Sequence, residues 1–335
     1  MVKLSNQERL KPWMGVILFV IGVVYLIFPG SLMQMRWGMT GLVTSELGFV
    51  IIAVLYCVIR KVSLKEVFPV QKVTAADIFG VFFMFLGAFM VNLITVGFSM
   101  LFLDLIGLGN GLEEAAQLTE FLYGNKTLYI VILLVVAVVG PICEELFMRG
   151  AVLSNFRSIG KDWVIVLISG AMFGILHLSS LRFLNTACFG AVLAYVMVKK
   201  NNIILPILLH FLNNFVSSVV GLFGGEGSTD AAMASFEGLN YTSLLGSYMM
   251  IGFLAPIFFV LGAMLLDREH HRPRRFLFAG IISAALLFGG IGITTISTAS
   301  TALTGDTILT WNNSTIVTEE DARNKNLAEA CIELD

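Results

Sequence analysis

Charged side chains are scarce in this sequence. Asp, Glu, Lys and Arg make up only 13% of its 335 residues, whereas a soluble domain carries about a quarter. Hydrophobic residues make up 57%, and several apolar runs reach about 20 residues, enough for one helix to cross a bilayer. Because hydrocarbon offers no hydrogen bonds, such a segment satisfies its backbone within a helix. The sequence therefore predicts an all-α fold, a polytopic integral membrane helix bundle with the lipid bilayer around it.

Clustered cysteines and basic patches are also missing. The four cysteines are widely spaced and form no Cys-x-x-Cys pair, so neither a disulfide framework nor a zinc knuckle is expected. The formal net charge is −2, and no basic stretch with interleaved aromatic residues points to a nucleic-acid partner. Only four histidines occur, and two of them, His177 and His210, lie in apolar runs. Any chemistry must therefore come from the few polar residues inside those runs.

Nine apolar runs follow one another along the chain, which predicts eight or nine transmembrane helices, eight if one run is re-entrant. The runs cover residues 13–33, 38–59, 77–105, 126–157, 162–178, 182–198, 203–222, 243–266 and 275–297. The segments between them alternate between rich and poor in Lys and Arg, and the N-terminal arm is a rich one. By the positive-inside rule the N-terminus is cytoplasmic. Nine spans then place the C-terminal tail outside.

The fourth run contains two adjacent carboxylates and a guanidinium, Glu144, Glu145 and Arg149. A charge deep in a membrane costs about 2.5–3.5 kcal/mol on insertion scales, so such residues indicate a function. Adjacent helical residues point about 100° apart, so the two glutamates have different surroundings. One interpretation gives Glu144 the cavity and pairs Glu145 with Arg149 at i, i+4 spacing. The sequence leaves open which glutamate takes which role.

Two later helices each carry a pair at i, i+4 spacing, Phe173 with His177 and His210 with Asn214. Glu144 lies about 14 residues before the next turn of the chain and His177 about 16 after it, which puts both roughly 20–25 Å from that turn. His210 and Asn214 lie about 8–12 residues beyond the following turn on the same side, or roughly 10–18 Å in. The three helices are therefore expected to bring these side chains into one cavity.

These residue types suit hydrolysis of an acyl bond by water. A carboxylate in a low-dielectric cavity is a suitable general base, so Glu144 and His177 together form a pair able to activate a water molecule. His210 and Asn214 are suitable donors to the oxyanion that results, while Phe173 packs against the His177 ring. The predicted reaction has no covalent intermediate.

The ordered motifs resemble those of a known family. They read Glu144-Glu145-Leu-Phe-Met-Arg149, Phe173-Gly-Ile-Leu-His177 and His210-Phe-Leu-Asn213-Asn214. In successive membrane helices, this set is similar to the CPBP (Abi) family of intramembrane proteases. That family includes the CAAX prenyl endopeptidases and bacterial homologues linked to bacteriocin processing and self-immunity. The resemblance covers roughly residues 126–222.

The resemblance implies an intramembrane endopeptidase in the plasma membrane of a bacterium. Its substrate would be a membrane-associated or lipid-modified peptide, such as a prenylated or precursor peptide. Glu144 and His177 would be the water-activating pair and His210 and Asn214 the oxyanion stabilisers. The supporting residues would be Glu145, Arg149 and Phe173.

Metal dependence is open at this point. Members of the family are often labelled metalloproteases, while a metal-free glutamate mechanism is also argued. Glu144, His177 and His210 supply the carboxylate and two imidazoles of a catalytic zinc site, although no His-Glu-x-x-His helix occurs. Zinc is therefore one expectation for the cofactor and no metal is the other.

Other interpretations of the same residues also stay open. The buried charges also suit a non-catalytic membrane protein, such as an immunity or scaffold protein or a transporter. Cys143 precedes Glu144, but a thiol in an apolar run is expected to be inert. Glu46 lies deep enough in the second run to be a cavity or structural residue.

The apolar runs and the resemblance together predict that the chain divides into four parts. They are N-terminal transmembrane helices over 1–125, a catalytic helical core over 126–222, C-terminal transmembrane helices over 223–300, and a polar acidic tail over 301–335.

Overall fold

The computed structural model of the protein describes residues 10–108, 129–224, 240–267 and 274–312. Every regular element within these ranges is a helix and none is a strand, which confirms the predicted all-α bundle. Five helical stretches in them are long and apolar enough to cross a membrane, and two shorter helices are also apolar. The count of eight or nine spans stays a prediction. Most of the predicted acidic tail, residues 313–335, lies outside the described residues.

Each predicted apolar run corresponds to one long helix or one arm of a helix. We number them in chain order; α1 and α2 are joined, α4 is interrupted by two π-helical turns, and α8 is interrupted by a 3₁₀ turn at Gly252–Leu254. They are α1 (Pro12–Tyr25), α2 (Ser31–Arg60), α3 (Ala75–Leu105), α4 (residues 129–152), α5 (Asp162–Leu176), α6 (Ser180–Lys200), α7 (Ile204–Gly224), α8 (Tyr241–Leu266) and α9 (Arg274–Asn312). The last helix continues well beyond the apolar run that predicted it, so the polar segment begins inside α9.

The helix that contains α1 and α2 changes direction at Gly38. This residue has φ 53° and ψ −124°, a conformation that glycine adopts without the clash a Cβ would cause. Beyond it the chain returns along α1, and the Tyr25 hydroxyl donates to the Ser45 carbonyl at 3.0 Å. The two arms are thus neighbours, and α2 packs against α4 through the rings of Phe49 and Phe147, 5.0 Å apart.

Ion pairs tie several helices together at one end of the bundle. Lys199, in the last turn of α6, lies 2.8 Å from Asp162 at the start of α5, and Lys200 lies 2.7 Å from Asp77 at the start of α3. Asp77 also completes a capping box with Thr74, which satisfies the first backbone N–H groups of α3. Since α5 starts at this end and rises 1.5 Å per residue, its last turn lies about 22 Å away.

Two glycines allow α5 and α6 to approach closely near that last turn. A Cβ on Gly170 would lie 2.7 Å from the Ala187 carbonyl oxygen, and one on Gly174 would lie 2.7 Å from that of Phe183. Small residues four apart let helix backbones meet in this way. The close approach fixes the end of α5, where His177 follows directly.

Gly174→Ala is expected to lower the free energy of unfolding by about 1–3 kcal/mol, the usual cost of overpacking. The added methyl group meets a backbone oxygen, which has less freedom to move than a side chain. Thermal unfolding in detergent measures the effect. Gly280→Ala is the matched control, because nothing lies within 4 Å of its added Cβ. Equal melting temperatures for the two variants would contradict the tight contact.

Helix α4 is interrupted by two π-helical turns, over Val135–Val139 and Leu146–Val152. Between them lies the short α-helical segment Gly140–Glu145, with Pro141 in its first turn. A π turn inserts one residue into the helix, and such turns are frequent at functional sites. The insertion resets the direction of the side chains that follow, so the two glutamates and Arg149 lie on a helix with locally altered register.

Candidate active site

Helices α2, α3, α4, α5, α6 and α7 enclose a cavity of about 690 Å³. It reaches from the middle of the bundle towards the fold-back at Gly38. The predicted catalytic residues all line it. Its polar lining residues are Gln34, Glu46, Asn92, Glu144, His177, Arg182, Asn185, Thr186, His210, Asn213, Asn214, Ser217 and Ser218. Apolar side chains such as Leu26, Leu42, Phe49 and Leu176 complete the wall, so polar groups converge on a space that is also bounded by apolar surface, as in ligand sites generally.

The two adjacent glutamates face different surroundings. Glu144 lines the cavity, and its Oε2 is buried without a hydrogen-bond partner among the described residues. Glu145 is fully buried, and its Oε1 lies 2.9 Å from Nη1 of Arg149, which is also fully buried. The attraction between the two charges offsets part of the cost of taking both out of water. The structure therefore places Glu144 at the cavity and Glu145 with Arg149.

The Arg149 guanidinium contacts groups on three helices. Besides its contact with Glu145, Nη2 donates to the Gly190 carbonyl of α6 at 2.9 Å. The guanidinium carbon lies 4.4 Å from the centroid of the Phe173 ring on α5, a cation–π geometry. One side chain thus links α4, α5 and α6 beside the cavity.

His210 extends this network into the cavity. Its Nδ1 donates to Oε1 of Glu145 at 2.9 Å. The rings of Phe173 and Phe189 meet its ring edge-to-face, with centroids 5.6 and 5.4 Å away. Because one ring nitrogen is tied to Glu145, only Nε2 remains for the cavity.

His177 has a similar arrangement at the end of α5. Its Nδ1 donates to the Phe173 carbonyl at 2.9 Å, and its ring packs edge-to-face on Phe173 with centroids 4.8 Å apart. With Nδ1 protonated, the neutral imidazole presents the lone pair of Nε2 to the cavity. That nitrogen is suited to accept a hydrogen bond from water.

Asn214 is fixed by a carbonyl that the first π turn supplies. Its Nδ2 donates to the Val136 carbonyl at 3.0 Å, and its Oδ1 accepts from Asn213 at 3.2 Å. Asn213 accepts in turn from Asn92 of α3 at 3.3 Å. A carboxamide has two N–H donors, so one of those on Asn214 remains for a group in the cavity.

Sequence reasoning did not identify several of these contacts. The Glu145–His210 hydrogen bond, the role of Val136 and the place of Asn92 and Arg182 in the cavity wall carry no local signal in the sequence. Glu46, in contrast, lies in the cavity wall, one of the two positions that the sequence allowed. Cys143 is buried and is not one of the described residues that line the cavity.

The predicted metal ligands are not gathered as a ligand set. Glu144, His177 and His210 line the same cavity, but over the described ranges no three His, Cys, Asp or Glu side chains are close enough to hold a metal ion. We therefore derive no step that passes through a metal.

Comparison with known proteins gives one match. Residues 126–216, which run from the start of α4 into α7, match the family model described as type II CAAX prenyl endopeptidase Rce1-like. Searches of the curated proteins and of the solved structures give no match. The matched segment contains all three motifs and the cavity residues Glu144, His177, His210 and Asn214. Over this segment the chain is similar to the type II CAAX prenyl endopeptidases, which are peptide hydrolases.

Proposed function

We propose that this protein is an intramembrane endopeptidase in which Glu144 and His177 activate a water molecule to hydrolyse a peptide bond. One observation carries the proposal. The buried, unpartnered carboxylate oxygen of Glu144 lies in the same cavity as His177, whose Nε2 is an acceptor. Two acceptors in an apolar cavity hold a water molecule by its two hydrogens, and this leaves an oxygen lone pair for attack.

The reaction begins when this water attacks the carbonyl carbon of the substrate while Glu144 takes its proton. The carbonyl oxygen becomes an oxyanion, which Asn214 stabilises with its second amide N–H. The Val136 carbonyl holds Asn214 in place before the substrate arrives. Such a pre-formed donor needs no reorganisation as charge develops.

His210 serves as a second oxyanion donor only when it carries two protons. Since Nδ1–H already donates to Glu145, the neutral ring has a lone pair on Nε2. With a second proton the ring donates from Nε2 as a charged donor, and the Glu145 carboxylate remains its partner at Nδ1. Glu145 therefore acts on the reaction through His210, while Arg149 holds Glu145 in position.

We propose that the substrate is a membrane-associated peptide. A lipid-modified peptide is one substrate of this kind. The apolar wall of the cavity supports a substrate that arrives from the bilayer, and the matched model is named for enzymes that act on prenylated peptides.

Cleavage by the purified protein in lipid vesicles tests the proposal. Membrane-tethered peptides, with and without a prenylated cysteine, are incubated with the wild-type protein and with His177→Gln, and the products are identified by mass spectrometry. We expect the wild-type protein to cleave the peptides with the prenylated cysteine, those without it, or both. The His177→Gln variant should cleave them at a rate at least about a hundredfold lower. Equal product from both proteins would instead favour a non-catalytic immunity or scaffold protein, or a transporter.

Removal of divalent metals is expected to leave the rate unchanged, because the proposed base is a carboxylate and the predicted ligands are not gathered. The measurement compares cleavage before and after dialysis against a strong chelator. Addition of zinc to the dialysed protein is the second arm. Loss of activity that zinc restores would show that the cavity works as a metal site.

A further inference from the structure

A second carboxylate faces the same cavity as Glu144. Glu46 belongs to α2, which packs against α4, and it lines the cavity wall. Its Oε2 is buried and, like that of Glu144, has no hydrogen-bond partner among the described residues. Burying two carboxylate oxygens without hydrogen-bond partners in one cavity lowers the stability of the folded protein. Their presence therefore indicates a function.

The two carboxyl groups affect each other electrostatically. Glu46 is close enough to Glu144 for their charges to repel. The Tyr25 hydroxyl and the Cys143 thiol also lie near enough to Glu46 to interact with it electrostatically. His210, Arg149 and Arg182 act on Glu144 in the opposite sense, favouring its ionised form. Two carboxyl groups at such a site avoid repulsion when one of them is protonated.

We propose that Glu46 is a further catalytic residue, the acid that protonates the leaving amine. This inference rests on the proposed function, in which Glu144 is the base. An amine leaves poorly as an anion, so hydrolysis of a peptide bond needs a proton donor as well as a base. Glu46 lies in the same cavity as the base, and it is the protonated member of the pair when Glu144 is ionised.

The protons balance over one turnover. Glu144 takes a proton from water as the new C–O bond forms, and the tetrahedral intermediate carries the negative charge. Glu46 then gives its proton to the nitrogen as the C–N bond breaks. The products are a carboxylic acid and an amine, with Glu46 ionised and Glu144 protonated. Transfer of that proton from Glu144 to Glu46 restores the starting state.

Glu46 lies outside the segment that matches the family model. The ring contact between Phe49, one turn further along α2, and Phe147 of α4 fixes its helix against the catalytic segment. The N-terminal helices therefore complete the active site and do more than anchor it.

Glu46→Gln tests the proposal when two substrates are compared. The first is a cleaved peptide, and the second is the same molecule with an ester in place of the scissile amide. An alkoxide leaves without prior protonation far more readily than an amine anion. We expect Glu46→Gln to slow amide cleavage by about 10²–10⁴-fold and ester cleavage by less than about tenfold. Glu144→Gln should slow both.

Either of two results would overturn this role. Amide cleavage at the wild-type rate would show that Glu46 donates no proton, and equal losses on amide and ester would show that it acts only on structure. If Glu46→Gln does not fold, Glu46→Asp provides the same comparison, since its carboxyl group is shifted by one methylene. An Asp variant that also loses amide and ester cleavage equally would overturn the proposal.

The outcomes also separate this proposal from the proposed function. If Glu144→Gln retains activity on both substrates, the proposed function itself fails. If Glu144→Gln is inactive while Glu46→Gln is fully active, only the assignment of Glu46 fails. Glu66→Gln is the matched control, because Glu66 is an exposed residue of a short helix far along the chain from both groups.

Discussion

Glu144→Gln is expected to abolish peptide cleavage, with a rate loss of about 10²–10⁴-fold, and to leave the fold intact. The amide has the shape of the carboxylate but takes no proton from water. The matched variant Glu145→Gln removes the same charge one residue later, from a side chain that does not line the cavity. Because Glu145 also acts on the reaction through His210, full activity in one of the two variants is the result that assigns the base to the other glutamate.

Glu144→Gln should lose activity without losing thermal stability. Glu144 Oε2 is buried without a partner among the described residues, so a neutral amide costs less to bury than a carboxylate. Glu144→Gln is thus expected to melt at the same temperature as the wild type or above it. Functional sites commonly keep destabilising groups of this kind.

The measurement combines the cleavage rate with thermal unfolding of the same preparation in detergent. An inactive variant that also unfolds early would leave the loss of activity explained by misfolding, and so would contradict this combination. Full activity in Glu144→Gln together with inactivity in Glu145→Gln would transfer the role of base to Glu145.

The helices and the shared cavity could be predicted from the sequence because both depend on spacing along the chain. Apolar runs predict where the helices lie, and counting residues from the turns placed Glu144 and His177 at similar depth. The structure brings both to one cavity. The chemical roles of these residues remain predictions.

Contacts between helices were less accessible to sequence reasoning. The direction of a side chain around its helix depends on every residue before it, and the π turns of α4 each insert one residue without a distinctive sequence. The hydrogen bonds from His210 to Glu145 and from Asn214 to Val136 depend on that altered register. The fold-back of α1 and α2 depends on one glycine, Gly38, in a sequence with 32 glycines.

Arg149→Leu is expected to lower the free energy of unfolding by about 3–5 kcal/mol, the usual cost of removing one partner of a buried ion pair. The substitution leaves Glu145 in a fully buried position with His210 as its remaining partner. It also removes the hydrogen bond to Gly190 and the contact with Phe173. Three helices lose a common link beside the cavity.

The double variant Arg149→Leu with Glu145→Leu separates charge from packing. Replacing a buried ion pair by apolar residues is often neutral or stabilising, so the double variant should recover most of the lost stability. Its activity should not return, because His210 then lacks the carboxylate that accepts from its Nδ1 and holds the ring in place. Recovery of stability without recovery of cleavage is the result that assigns Glu145 to positioning His210.

Arg274→Leu is the control for loss of a guanidinium, since Arg274 is exposed at the start of α9 and surface changes usually stay within about 0.5 kcal/mol. Thermal unfolding in detergent ranks all three variants. A double variant no more stable than Arg149→Leu would mean that the apolar contacts of Arg149 matter more than its charge. Full cleavage activity in the double variant would show that His210 needs no carboxylate partner, and Asn214 would then be the principal oxyanion donor.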